Sequence, residues 1–148
     1  MVAEAAIVFP VLLFMIFALI VGGMGVFRYQ LTACLAREAA RYASVHGSDW
    51  EADQNQTPLT VAQIRQNVVL PLATSLDPAQ LTVTVQWVNN GTNQVQDWDS
   101  SPRTPRSLNA SGDYVNNNVR VTIQYNWIPE TLLPPCTLTS VCEIPLSH

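Results

Sequence analysis

The sequence predicts an α+β chain, in which one long N-terminal hydrophobic helix packs with its outer half on a small antiparallel β-sheet domain. Three observations carry this prediction. Residues 5–27, AAIVFPVLLFMIFALIVGGMGVF, hold no charge and lie between Glu4 and Arg28. Residues 29–46, YQLTACLAREAARYASVH, continue with apolar residues at helical spacing. Two later stretches, 81–88 and 114–127, alternate apolar with polar residues as half-buried strands do. The chain divides accordingly into 1–28, a hydrophobic helix suited to cross a membrane or to pack among other helices; 29–47, its amphipathic continuation; and 48–148, a globular outer domain.

The uncharged run is roughly 35 Å long at ~1.5 Å per residue, enough to cross the hydrocarbon core of a bilayer. A helix that is apolar all round must be covered all round, by lipid or by other helices. No basic region precedes the run, and it exceeds the ~7–15 apolar residues of a cleaved signal peptide, so it is expected to be retained. Pro10 removes one backbone hydrogen bond and is expected to bend the rod. Gly22, Gly23 and Gly25 admit two readings: a second weak point in the helix, or small residues that let another helix approach closely.

From Leu31 the face is expected to run through Cys34, Leu35, Ala39, Tyr42 and Val45, with Arg37, Glu38 and Arg41 outside. On this reading Cys34 is a packed core thiol. Gly47 and Ser48 suit a helix end, which gives a rod over about 3–46 of ~65 Å. Residues 48–58 read as a polar link. Thr60 suits the cap of a short helix over 61–70, ended by Pro71, and Asp77-Pro78 suits a turn. In 81–88, Leu81, Val83, Val85 and Trp87 share one face. Asn89-Asn90-Gly91-Thr92 is a turn signal, and 95–98 suits a return strand. Residues 100–112 read as an exposed loop. The longest alternation, 114–127, sets Val119, Val121, Ile123, Tyr125 and Trp127 on one face. After Pro129 the tail is expected to be irregular.

Charge divides with the architecture. Residues 1–46 carry +1 and the remainder −5, with arginine the sole strong base. A mildly acidic outer domain argues against a nucleic-acid partner, since phosphate binding needs a basic face. Cys136 and Cys142 flank a short CTLTSVC segment between prolines, a spacing that suits a local disulfide and hence an oxidising compartment. Asn55, Asn90 and Asn109 stand in N-x-S/T triplets, as glycosylation acceptors or as chance occurrences in Asn- and Thr-rich loops. Trp98, beside Asp97 and Asp99, is the tryptophan expected to be exposed. No catalytic, metal-ligating or nucleotide-binding motif is present, so no catalytic residue, metal or cofactor is assigned.

The opening VAEAAIVFPVLLFMIFALIVGGMGVF, followed by LTACLAREAARYASVHG, resembles the TadE-like proteins of the tight-adherence pilus system, relatives of type IV pilins. The shared features are an acid near the N-terminus, an early proline and the AREAARYA stretch at 36–43. The resemblance implies a pilin-like structural subunit, a homo-oligomeric helical filament built through the N-terminal helices. It also implies a basic leader cut by a prepilin peptidase, residence in the inner membrane before assembly, and handling by the pilus machinery. Glu4 stands fourth, where the family's acid is usually the fifth mature residue. Under this reading Glu4 pairs with the α-amino group of a neighbouring subunit's Met1 and sets the register; on the plainer reading it favours the helix dipole. Arg28 taken alone directs the outer domain to the cytoplasm; the expected disulfide and the resemblance direct it outside. The alternative function is a single-pass anchored surface-binding module that does not polymerise, or a minor pilus component.

Overall fold

The structure is a computed structural model that describes residues 2–57, 59–129 and 134–147, with the backbone alone at residues 2–6. Helix α1 runs unbroken over Val2–Ser44, through Pro10 and all three glycines. At ~1.5 Å per residue it is ~65 Å long, as expected. No break occurs at the glycines: the helix continues across 22–25.

Four strands form one antiparallel sheet in the order β2-β1-β5-β6, with β1 at Leu81–Asn89, β2 at Gln94–Asp97, β5 at Asn118–Trp127 and β6 at Cys136–Pro145. The alternation read from the sequence fixes the faces. Leu81, Val85 and Trp87 of β1 are buried, as are Val119, Val121, Ile123 and Tyr125 of β5. Their register opposes Val85 to Val121 and Trp87 to Val119, so the two inner rows coincide. The outer half of α1 lies across β5 and β6. Its buried positions are Thr32, Leu35, Ala36, Ala39, Ala40, Ala43 and Ser44, the i, i+3, i+4 rhythm of one helix face. Four of the seven are alanines, which hold the helix close to the sheet.

That face differs from the expected one. Cys34 is exposed, Val45 is exposed and Tyr42 is half-buried. The larger side chains lie at the margin of the contact and the small ones at its centre.

Residues expected to form a polar link instead make helix α2, Ser48–Gln54. It buries no residue fully, so it has no apolar stripe for a periodicity argument to detect. The buried Arg103 ties α2 down by an ion pair to Glu51 at 3.0 Å. Next, α3 spans Val61–Ile64, a π turn Arg65–Val69, and α4 Leu70–Leu72. Thr60 caps α3 as expected, within a complete capping box with Gln63. Pro71 sits within α4, near its end.

The loop expected over 100–112 contains β3, Arg106–Leu108, which pairs with β4, Tyr114–Asn116, as a separate hairpin. The long alternating stretch is therefore interrupted at Asn117. That residue is fully buried and acts as a hub. Its Nδ2 donates to Thr104 O at 2.9 Å, and its Oδ1 accepts from Asn90 N at 3.1 Å and Ser107 Oγ at 2.8 Å. Its carbonyl accepts from Leu146 N at 2.9 Å, and Ser147 N donates to Ser44 O at 3.0 Å, so the C-terminal tail fastens the end of α1.

The tail is not irregular. β6 pairs with β5 along ten positions, from Cys136 opposite Trp127 to Pro145 opposite Asn118. Trp98 is fully buried, not exposed, and its Nε1 donates to Leu59 O at 2.7 Å. An indole that can satisfy its single donor is well placed in a core, whatever its neighbours in sequence.

Candidate functional site: the apolar rod and its neck

The inner half of α1 touches little of its own chain. Fifteen large apolar side chains between Ile7 and Phe27 are exposed, the least of them, Leu13, at 38%. Over Ile7–Phe27 only Val21 and Gly25 fall short of the exposed class. α1 is long and apolar enough to cross a membrane, by length and composition. A monomeric soluble protein rarely exposes an apolar patch beyond a few hundred Å². This surface is therefore made to be covered.

The predicted assembly residues fall into three groups. Met1 lies outside the described residues, and so does the Glu4 side chain, although the Glu4 backbone is helical. Pro10 is exposed within the continuous helix. Gly22 and Gly23 are exposed, and a Cβ added at either would meet nothing within 4 Å. Gly25 differs, because a Cβ there would lie 2.8 Å from Cζ3 and 3.2 Å from Cη2 of the Trp127 ring. Its lack of a side chain lets the last residue of β5 lie directly on the helix.

One turn later, Arg28 completes this neck. Its guanidinium stands over the rings of Trp127, at 5.5 Å, and Tyr125, at 6.0 Å, within cation–π range. Its Nη1 donates to the Tyr125 hydroxyl at 3.3 Å. The sequence signals for this cluster were a first charge after an apolar run and two aromatics at the end of an alternating strand. What joins them is tertiary, and sequence reasoning missed it.

The expected disulfide is corrected. CTLTSVC is a strand and not a loop, and Cys136 and Cys142 are six positions apart on β6. At ~3.3 Å per residue their Cα atoms are ~20 Å apart, against the ~5.5–6 Å that a bridge requires. All three cysteines are free thiols, with Cys142 partly covered by the core. The sequons are divided too. Asn90 donates through Nδ2 to Asn116 O at 2.7 Å. Asn109 Oδ1 accepts from the backbone of Ser111 and Asp113. Asn55 is exposed at the C-cap of α2, with φ of 49°, and its side chain makes no hydrogen bond among the described residues. Asp99 uses Oδ1 to accept from Val61 N at 2.8 Å, so this acid braces the start of α3.

Residues 1–41 match the family model of TadE-like proteins, the pilus-related family that this segment resembles. No curated protein and no solved structure matches the chain.

Proposed function

We propose that the chain is a structural subunit of an extracellular pilus-like filament, assembled through its N-terminal hydrophobic helices and serving adhesion or surface attachment. The observation that carries this reading is the rod whose side chains are exposed from Ile7 to Phe27 at every position but Val21 and Gly25, joined without a break to a helix half locked under a sheet. A single anchoring helix and a filament core helix share this composition. The TadE-like match over residues 1–41 favours the second. Gly22 and Gly23 support it, since open glycines on an apolar helix admit a neighbouring backbone at close range.

The subunit waits in the inner membrane before assembly, is trimmed by a prepilin peptidase and is then drawn by the pilus machinery into a helical homo-oligomer. The outer domain faces away from the cell. No catalytic role is assigned. Glu4 is the register residue. A carboxylate beside an apolar rod is costly to bury unpaired, and the α-amino group of a neighbour's Met1 satisfies it at one stagger. Glu4→Ala is expected to leave the outer domain folded and to lower filament yield at least tenfold, read by quantifying sheared filaments; an unchanged yield rejects the pairing. The second reading, an anchored module that does not polymerise, requires the mature chain to remain in membranes and extract as a monomer.

A further inference from the structure

We propose that the neck of the molecule seats the phosphate of an anionic phospholipid headgroup, held by Arg28 with Ser75, Gln80, Tyr125 and Asn126. This rests on the membrane stage of the function proposed above.

The placement follows from length. The exposed apolar run ends at Phe27, and Ile7–Phe27 spans ~32 Å of helix, close to the ~30 Å of a bilayer's hydrocarbon core. Arg28, the next residue, therefore stands at headgroup depth. There the guanidinium is not loose. The faces of Trp127 and Tyr125 and the Tyr125 hydroxyl hold it against the end of β5. Three contacts at one end leave the rest of its donor fork for a ligand, and an arginine fork matches phosphate oxygens in geometry as well as charge. Among the described residues no carboxylate lies within ion-pair distance of it.

A pocket of about 270 Å³ opens beside it, lined by Arg28, Ser75, Asp77, Gln80, Tyr125 and Asn126, with Ile128 at its rim. Ile128, in the lining, is 56% exposed and Tyr29, next to Arg28 in the chain, is 51% exposed, side chains suited to the interface between water and lipid. Asp77 is the one carboxylate in the lining. Its Oδ1 accepts from Ala79 N at 2.9 Å and caps the turn at Pro78–Gln80, and as a carboxylate it repels an anion from its own side of the pocket. The ligand is thus a single phosphate approaching from the Arg28 side.

The seat also gives Arg28 a task unrelated to topology. Taken as a topological signal, it directs the outer domain to the cytoplasm. Taken as part of a headgroup site, it fixes the height of the domain above whichever leaflet it faces.

The test uses the full chain in nanodiscs of equimolar phosphatidylglycerol and phosphatidylcholine with identical acyl chains, and counts retained lipids by native mass spectrometry. Phosphatidylcholine offers the same phosphate but also a choline cation that Arg28 repels, so wild type is expected to enrich phosphatidylglycerol about fivefold over bulk, the factor given by ~1 kcal/mol per basic residue at an anionic surface. Arg28→Gln is expected to return the ratio to bulk with an unchanged circular dichroism spectrum. Arg28→Lys, which keeps the charge but loses the planar fork, is expected to retain less than half of the enrichment. Arg37→Gln, farther out on α1, behaves as wild type. A bulk ratio around wild type, or an equal loss in Arg37→Gln, or full enrichment in a folded Arg28→Lys, overturns the proposal. Abolition of the enrichment by millimolar inorganic phosphate also overturns it, since the seat is then for free phosphate. A chain that never enters the nanodiscs overturns the membrane stage itself, whereas insertion without enrichment overturns the headgroup seat alone.

Discussion

Gly25 offers the sharpest test of how the rod is joined to the outer domain. In a helix, alanine is favoured over glycine by ~1 kcal/mol. Gly22→Ala and Gly23→Ala have nothing within 4 Å of the new methyl group, so they are expected to collect that gain without cost. Gly25→Ala puts its Cβ 2.8 Å from Cζ3 of Trp127. Carbon atoms in contact prefer ~3.5–4.0 Å, so the indole must retreat by ~0.7 Å or more. Overpacking of this kind costs ~1–3 kcal/mol. Set against the propensity gain, the net effect runs from neutral to a loss of ~2 kcal/mol. The assay is thermal unfolding of the sheet domain in mild detergent, followed by circular dichroism. A loss of 1 kcal/mol lowers Tm by ~4–8 °C in a domain of this size. The decisive comparison is Gly25→Ala in a Trp127→Ala background, where the clash partner is gone and the substitution becomes stabilising by ~1 kcal/mol. A Gly25→Ala variant as stable as Gly22→Ala, or a penalty that survives the loss of Trp127, refutes the packed neck.

Three further outcomes follow from the same structure. Glu51→Gln is expected to destabilise the outer domain by ~3 kcal/mol in denaturant unfolding, because it strands Arg103, whose side chain is 10% exposed, in a buried site. Glu143 is held below its ordinary pKa of 4.5, first by the hydrogen bond from Asn118; burial opposes this, and the hydrogen bond and charge of Arg120 add to the lowering. Since the folded value is the lower one, its stabilising contribution is complete above the ordinary value and declines as pH falls from there through the folded value. Unfolding of Glu143→Gln is expected to lack that acid-side decline, and identical pH profiles would contradict the assignment. Finally, intact mass after alkylation without reductant is expected to show three modified cysteines. Two fewer would mean that Cys136 and Cys142 are bridged and β6 is wrongly assigned.

The elements that the sequence made legible are those with strong amphipathic contrast. β1 and β5 announce themselves through valine, isoleucine and tryptophan set against threonine and glutamine, and they meet in the register that their inner faces demand. β6 lacks that contrast. Its inward positions include Ser140 and Cys142, its outward ones Val141, and the two cysteines suggested a closed loop. α2 was hidden because it buries no side chain fully, and its one strong tie, Glu51 to Arg103, joins residues 52 positions apart. On α1 the contact face was misplaced by weighting size. The centre of a helix–sheet contact belongs to Ala36, Ala39, Ala40 and Ala43, while Cys34 and Val45 face solvent. The apolar rod was fully legible, because a long uncharged stretch needs no partner to be recognised. The neck was not, because Gly25, Arg28, Tyr125 and Trp127 meet across about a hundred residues of chain.

The central claim is that the exposed rod is covered by copies of itself. The most direct measurement is to shear cells, collect the released material without detergent, image it by electron microscopy and sequence the N-terminus of this chain in it. Regular filaments composed of this chain are the expected result. A chain absent from the sheared material and retained in membranes, extractable as a monomer, would contradict it and leave the single-pass anchor as the function of the rod.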